Sequence, residues 1–152
     1  MTEAEARRGI VDEARSWIGT PYRHLGRAKG PDGGVDCAQL VWAVFHNCGL
    51  APFMPLDPYP RDFMLHRAEE RYMRAVGERA REVTTPHPGD LVLFRVGRLY
   101  AHGAIVDEPG WPRIIHAWYA AGLVLADDGT AHRLAGRPHK FFSLWSQPAR
   151  ES

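Results

Sequence analysis

Residues 36–49, DCAQLVWAVFHNCG, carry the most regular apolar pattern of the chain. Apolar side chains recur there every three or four positions, which predicts an α-helix from about Cys37 to Cys48. Asp36 is a favourable N-cap residue and Gly49 a favourable residue after the last helical turn. The pattern therefore predicts a buried helix that follows a capping aspartate and has a cysteine in its first turn.

The position of Cys37 favours thiol chemistry. Amide groups in the first turn of a helix have no partner within the helix, and the positive end of the helix dipole lowers the pKa of a thiol. The same amides can stabilise the oxyanion of a tetrahedral intermediate. The alternative is a buried cysteine that acts as a small hydrophobic side chain. Cys48 lies ~16 Å further along the helix axis, too far for a disulfide, and we interpret it as a core residue.

The regions around this helix predict more helix before the sheet begins. Glu3–Ile18 has amphipathic spacing and is followed by the helix-breaking Gly19. Gly26–Gly34 has the composition of a loop. After a proline-rich stretch at Pro52–Pro60, the residues of Arg61–Val83 favour one or two solvent-exposed helices.

From Gly89 onward the pattern changes to short β-branched and aromatic runs that turn residues separate. The predicted strands are Leu91–Val96, Leu99–Asp107, Arg113–Trp118 and Lys140–Trp145, with Leu123–Asp128 as a weaker candidate. Helices that precede consecutive strands indicate an α+β fold, with N-terminal helices packed on a C-terminal antiparallel β-sheet. Since no repeat or linker divides the sequence, we expect residues 1–152 to form a single domain.

Composition excludes several classes of protein. The chain has 152 residues, 45% of them hydrophobic and 24% charged, as in an ordinary globular domain. A net charge of +1 argues against nucleic acid or an anionic membrane as a partner, and two cysteines cannot form a disulfide framework. The sequence shows no apolar run long enough for membrane insertion and no signal peptide at its start. We expect a protein that is made in the cytoplasm.

Two of the eight histidines differ from the others. His102 and His116 lie within predicted strands, whereas the others fall in turns or helices, at His24, His46, His66, His87, His132 and His139. A hairpin centred near Pro109 places His102 opposite His116, with Cβ atoms ~5 Å apart. His102 would then take the thiol proton, while His116 would accept a hydrogen bond from its other nitrogen and fix its tautomer. The alternative is two unrelated strand histidines, and a one-residue bulge would break the pairing.

Five short blocks in this order resemble the NlpC-type cell-wall cysteine peptidases, a papain-like family that cleaves peptides of bacterial peptidoglycan. The blocks are Gly19-Thr20-Pro21-Tyr22, Asp36-Cys37 with Leu40-Val41, Gly89-Asp90-Leu91-Val92 with Phe94, His102-Gly103-Ala104-Ile105-Val106, and Ile115-His116-Ala117. Together they span most of residues 10–120. The resemblance implies the papain-like NlpC-type fold.

The resemblance also assigns roles to residues. Cys37 would be the nucleophile, His102 the base and later the acid, and His116 the orienting residue. Tyr22 matches a tyrosine beside the nucleophile that binds substrate or the oxyanion, and the Ala38 amide would belong to the oxyanion hole. The family usually has Ser-Gly after the cysteine, whereas this chain has Ala38-Gln39. No cofactor or metal is implied.

For function, the resemblance implies hydrolysis of peptidoglycan stem peptides at the amide between D-glutamate and a diamino acid. Compact members of this kind are associated with phage tails, so phage-tail proteins are the expected partners and the cell wall is the expected place of action. A bacterial enzyme that degrades imported wall fragments in the cytoplasm fits the sequence equally.

Three other functions fit the same residues. A papain-like thiol amidase or acyltransferase would use the same site on another substrate. Zinc bound by Cys37, His102 and His116 would form a mixed nitrogen and sulfur site with one open position. A non-catalytic component of a phage tail would retain the site without using it.

Overall fold

The computed structural model describes residues 1–51, 78 and 80–145. In this part of the chain two helices, α1 (Glu3–Arg15) and α2 (Cys37–Asn47), precede a six-stranded antiparallel sheet. Before α2 lies a separate two-stranded sheet of β1 (Arg27–Ala28) and β2 (Gly34–Val35). The strands of the large sheet are β3 (Arg81–Val83), β4 (Leu91–Val96), β5 (Leu99–Val106), β6 (Arg113–Trp118), β7 (Leu123–Asp128) and β8 (His139–Ser143).

The large sheet has the strand order β3-β8-β4-β5-β6-β7 and apolar side chains on both faces. One face packs against α1 and α2 through Leu91, Leu93, Ile105, Ile115, Ala117 and Val124. The other face carries a smaller cluster of Val92, Phe94, Ala104, Ile114 and Leu134, partly covered by Trp111, Trp118 and Phe141. This arrangement confirms the predicted α+β class. None of the helices described is long and apolar enough to span a bilayer.

α1 begins as predicted but ends three residues earlier. Thr2 and Glu5 form a capping box at its start. After Arg15 the backbone hydrogen bonds join residues three apart and no longer four apart. The Trp17 amide donates to the Ala14 carbonyl and the Ile18 amide to the Arg15 carbonyl, each at 3.1 Å. Tighter bonding of this kind is common in the last turn of a helix. The apolar spacing therefore continues beyond the α-helical hydrogen bonds.

The prediction of a loop at residues 26–34 is wrong, because these residues form most of the β1–β2 hairpin. Arg27 pairs with Val35 and Ala28 with Gly34. A Cβ atom at Gly33 would lie 2.0 Å from the Ala28 carbonyl oxygen, so the glycine permits a close backbone approach. The glycine-rich composition of residues 26–34 is typical of loops, and strands of only two residues cannot be recognised from it.

The predicted helices at Arg61–Val83 fall largely outside the described residues, as do Pro52–Pro60 and His66. The final residues of that range contradict the prediction, since Arg81–Val83 forms β3, an edge strand paired with β8. Three residues with two exposed charged side chains show little β pattern. The strand is specified by its partner and not by its own sequence.

The remaining strands lie close to their predicted positions. β4, β6 and β7 have the predicted bounds, and β5 ends one residue earlier than predicted. β8 begins at His139, so this histidine lies in a strand and not in a turn. The antiparallel sheet was therefore predictable from the alternation of residues, including the weak candidate that became β7.

Candidate active site

Asp36 fixes the start of α2. The residue is fully buried, and its Oδ1 accepts a hydrogen bond from the Gln39 amide at 2.9 Å. Its Oδ2 accepts a second bond, also 2.9 Å, from the amide of Leu25, a residue with a positive φ of 65°. The predicted N-cap is confirmed, and the same carboxylate also holds the chain segment that leads into the hairpin.

Cys37 is the first residue of α2 and is 3% exposed. The first amide that bonds within the helix is that of Leu40, which donates to the Asp36 carbonyl at 2.9 Å. The amides of Cys37 and Ala38 thus lie in the first turn, where the helix dipole favours negative charge. Ala38 is itself fully buried. The predicted position of Cys37 in the first helical turn is confirmed, and the roles of Cys37 as a nucleophile and of the Ala38 amide in an oxyanion hole stay predictions.

Cys48 lies at the other end of the same helix and has a different environment. It is half-buried at the margin of the core, and its thiol lies 3.6 Å from the Gly9 carbonyl oxygen. Burial, together with the negative charge of Glu13, raises the pKa of Cys48 to about 11. Neither Cys37 nor Cys48 forms a disulfide.

Tyr22 lies beside the strand that leads into Cys37. It forms a parallel bridge with Val35, two residues before the cysteine, and its amide donates to the Gly122 carbonyl at 2.8 Å. Its ring packs edge to face on Tyr119, with centroids 5.5 Å apart. The structure therefore brings the predicted substrate-binding tyrosine next to β2 and the start of α2.

Gln39, one of the two residues that replace the usual Ser-Gly after the cysteine, contacts the β1–β2 hairpin. The glutamine is fully buried, and its side-chain oxygen accepts a hydrogen bond from Arg27 Nε in β1. The Arg27 guanidinium also lies 4.1 Å from the centre of the Trp42 ring on α2. The Gln39 side chain therefore connects α2 to the β1–β2 hairpin through a hydrogen bond.

The two strand histidines contact each other, as predicted. His102 Nε2 lies 2.8 Å from His116 Nδ1, and the two side chains are almost completely buried. Their register is two residues away from the predicted one, because Ile105 pairs with Ile115 and the turn centres on Gly110, whose φ is 136°. A shift of two residues keeps both histidines on one face but makes them diagonal neighbours.

Asp127 is a site residue that the sequence analysis missed. Its Oδ2 lies 2.9 Å from His116 Nε2, and its side chain is about a quarter exposed, at 25%. Burial lowers the pKa of His116 below the usual value, although the hydrogen bond and charge of Asp127 act in the opposite direction. The available signal was β7 itself, which pairs with β6 and places Asp127 diagonally opposite His116.

This hydrogen bonding disfavours the zinc alternative. Both ring nitrogens of His116 have partners, His102 on one side and Asp127 on the other, so neither nitrogen points to a common metal position. Among residues 1–51, 78 and 80–145, no three histidine, cysteine or acidic side chains form a group that could hold a metal ion.

Comparisons with solved structures identify the fold of the chain. No family model matches the sequence, and no curated protein matches it significantly. The P60 domain of an antigen from Mycobacterium avium subspecies paratuberculosis superimposes with a TM-score of 0.62 at 16% identity, covering 95% of this chain and 98% of that one. The chain has the NlpC/P60 fold.

Two further solved structures with the NlpC/P60 fold agree. The peptidoglycan hydrolase RipB from Mycobacterium tuberculosis has a TM-score of 0.61 at 21% identity, over 97% of this chain and 70% of that one. A lipoprotein-like NLP/P60 protein from Staphylococcus aureus has a TM-score of 0.60 at 20% identity, over 91% of this chain. The chain spans 42% of the length of that protein. The fold predicted from the sequence blocks is confirmed.

Proposed function

We propose that this protein is a cysteine peptidase that hydrolyses peptidoglycan stem peptides. The observation that carries the proposal is the buried His102–His116 pair, on a sheet against which a helix with Cys37 at its first position packs. A thiol in the first turn of a helix and an imidazole with a defined partner are the two parts that nucleophilic catalysis requires. The NlpC/P60 fold, which RipB shares, favours the cell wall as the source of the substrate.

The proposed reaction begins when His102 Nδ1 takes the proton of the Cys37 thiol. The thiolate forms a bond to the carbonyl carbon of the scissile amide, and the oxyanion is stabilised by first-turn amides, including that of Ala38, and by the Tyr22 hydroxyl. The C–N bond then breaks as His102 returns the proton to the leaving amine. Water, activated by His102, hydrolyses the thioester and regenerates Cys37.

The finer assignments are part of the same proposal. The amide between D-glutamate and a diamino acid is the proposed scissile bond, supported by the sequence blocks at Cys37, His102 and His116. Phage-tail proteins are the proposed partners. We propose that the protein is made in the cytoplasm and acts on the wall from a phage-like particle.

The test is mass spectrometry of purified muropeptides after incubation with the protein. The wild type should release new fragments with or without a chelator, and Cys37→Ala should release none. His102→Ala should be slower by ~10²–10⁴-fold. Cys48→Ala is the matched control, because it removes the other thiol of the same helix, and it should cleave like the wild type.

The fragments identify the reaction as well as the bond. A free carboxylate on the acyl product indicates hydrolysis, whereas a new amide on that product would indicate an acyltransferase and contradict the proposal. Muropeptides that stay intact with the wild type would also contradict wall hydrolysis by this chain. Cleavage by Cys37→Ala would exclude the thiol mechanism.

A further inference from the structure

We propose that Asp127 is a positioning residue, which sets the direction of the hydrogen bonds along His116 and His102 and leaves Nδ1 of His102 free of its proton. The catalytic consequence of this inference rests on the proposed function, in which His102 Nδ1 takes the thiol proton. The protonation pattern itself is a property of the three side chains. It can be measured whether or not the protein cleaves a peptide.

The need for a third group follows from the symmetry of the histidine pair. His102 Nε2 and His116 Nδ1 lie 2.8 Å apart, a distance that fits a hydrogen bond in either direction. Each neutral imidazole has one nitrogen that donates and one that accepts. If His116 Nδ1 carries the proton, the proton of His102 must lie on Nδ1, and this nitrogen then cannot accept one from a thiol. Two histidines alone therefore do not determine which tautomer forms.

Asp127 resolves this choice because an ionised carboxylate only accepts hydrogen bonds. Its Oδ2 lies 2.9 Å from His116 Nε2, so this nitrogen carries the proton. Its other oxygen accepts a hydrogen bond from the Asp128 amide at 2.8 Å, which holds the carboxylate in place. The orientation of Asp127 is thus fixed by its own strand.

The environment of His116 keeps its ring neutral, so the tautomer of His116 determines the tautomer of His102. The ring is fully buried, and burial lowers its pKa, so His116 is neutral near pH 7. A neutral ring protonated on Nε2 presents Nδ1 as an acceptor, and His102 must donate from its own Nε2. The remaining nitrogen of His102, Nδ1, is then the acceptor that the proposed mechanism requires.

Asp128 provides a matched control on the same strand. It is adjacent to Asp127, but its carboxylate accepts hydrogen bonds from the amide and hydroxyl of Thr130, at 2.7 and 2.6 Å. These bonds, followed by the nearby charges of Arg113 and His132, lower its pKa despite the opposing effect of burial. Replacing Asp128 with asparagine removes one negative charge from the region and leaves the contact with His116 in place.

The experiment is ¹⁵N NMR of protein labelled at histidine, recorded at pH 7 for the wild type, Asp127→Ala, Asp127→Asn and Asp128→Asn. The wild type and Asp128→Asn should show Nε2 protonated and Nδ1 unprotonated in both His102 and His116. Asp127→Ala should show a mixture of tautomers in both rings. Asp127→Asn keeps the size of the side chain, but its amide can donate as well as accept, so it should also show a mixture of tautomers and serves if the alanine variant does not fold.

Hydrolysis rates then test the catalytic consequence. Asp127→Ala should lower kcat by roughly 10–100-fold with little change in KM, and Asp127→Glu should recover part of the loss. Wild-type tautomers in folded Asp127→Ala, or in folded Asp127→Asn where the alanine variant does not fold, would overturn the inference at any rate of hydrolysis. The expected tautomers in a wild type that cleaves nothing would support the positioning role and refute the proposed function instead.

Discussion

At the scale of single residues, Cys37 and Cys48 show how position along one helix gives two thiols different tendencies to ionise. Cys37 lies at the amino end of α2, where the dipole stabilises a thiolate, and Cys48 lies beyond the last turn, where the dipole opposes one. Burial and Glu13 raise the pKa of Cys48 to about 11. The helix therefore supports the anionic form at its start and the neutral form at its end.

This contrast predicts selective alkylation. Iodoacetamide at pH 7 should label Cys37 and leave Cys48 unmodified, because Cys48 remains a neutral thiol until the pH approaches about 11. Peptide mapping by mass spectrometry measures the label at each site. Cys37→Ala should take up almost no reagent while folded, and both thiols should react once the protein is unfolded in urea. Preferential labelling of Cys48 in the folded wild type would contradict the prediction.

The same scale shows the limit of sequence reasoning at the candidate site. Cys37 and Asp36 were predictable because a capping residue and an apolar stripe are local signals. The two histidines were predictable as a pair, although their register depended on a turn whose centre lies at Gly110 and not Pro109. Asp127 was missed because its contact with His116 depends on the pairing of β7 with β6, and β7 was only a weak candidate in the sequence.

At the scale of elements, the carboxylate of Glu13 joins α1 to α2 and to the segment that follows β1. Its Oε2 accepts hydrogen bonds from Trp17 Nε1 at 3.0 Å, Lys29 Nζ at 3.1 Å and Asn47 Nδ2 at 2.8 Å. Burial alone would raise the pKa of Glu13, but the three hydrogen bonds and the charge of Lys29 outweigh it, so the pKa is lowered. The charged form of Glu13 is the form that stabilises the fold.

The sign of this shift predicts a pH dependence. A carboxyl group with a lowered pKa in the folded state stabilises the protein above its unfolded pKa, near 4.5, and loses that contribution as the pH falls below it. Glu13→Gln should lower the free energy of unfolding by about 1–2 kcal/mol at pH 7 and by less at pH 3.5. Urea unfolding at the two pH values measures the difference.

Asp12→Asn is the control for this prediction, because Asp12 is an exposed carboxylate on the same helix. It should change stability by less than about 0.5 kcal/mol at both pH values. A loss in Glu13→Gln that is as large at pH 3.5 as at pH 7 would show that the hydrogen bonds to the charged carboxylate are not its cause.

Elements with a periodicity of their own were predictable, and elements specified by a partner were not. α2, β4 and β6 have long apolar patterns and lie where the sequence predicts. β1 and β3 have two and three residues, and their pairing depends on β2 and β8. A short strand buries too little apolar surface to produce a pattern of its own.

At the scale of the whole molecule, Arg7 connects the two ends of the described chain. Its guanidinium, on α1, lies 2.6 Å from the Asp90 carboxylate before β4 and 3.2 Å from the Ser143 hydroxyl in β8. The two charged side chains are 12% and 2% exposed. The pair therefore attaches the first helix to the centre of the sheet, and it gives Asp90, part of one of the resemblance blocks, a structural role.

Breaking this pair should be costly. Arg7→Met leaves the Asp90 carboxylate buried without its guanidinium, and we expect the free energy of unfolding to fall by ~3 kcal/mol. The double variant Arg7→Met, Asp90→Asn should lose less than the sum of the two single variants, because it leaves no buried charge unpaired. Chemical denaturation of all four proteins measures this coupling. Losses that simply add would contradict the interaction.

The segment from Gly19 to Tyr22 joins the two sheets through backbone hydrogen bonds on both of its sides. On one side it bonds to Val124 in β7, through the Gly19 amide and the Thr20 carbonyl, each at 2.9 Å. On the other side the Pro21 carbonyl accepts from the Val35 amide of β2 at 3.0 Å. Cys37 follows β2, and Asp127 lies in β7. The single segment from Gly19 to Tyr22 is therefore hydrogen-bonded both to the strand before Cys37 and to the strand that carries Asp127. Thermal fluctuations should therefore displace Cys37 and Asp127 together, and the distance between these two residues should vary less than the position of either one does.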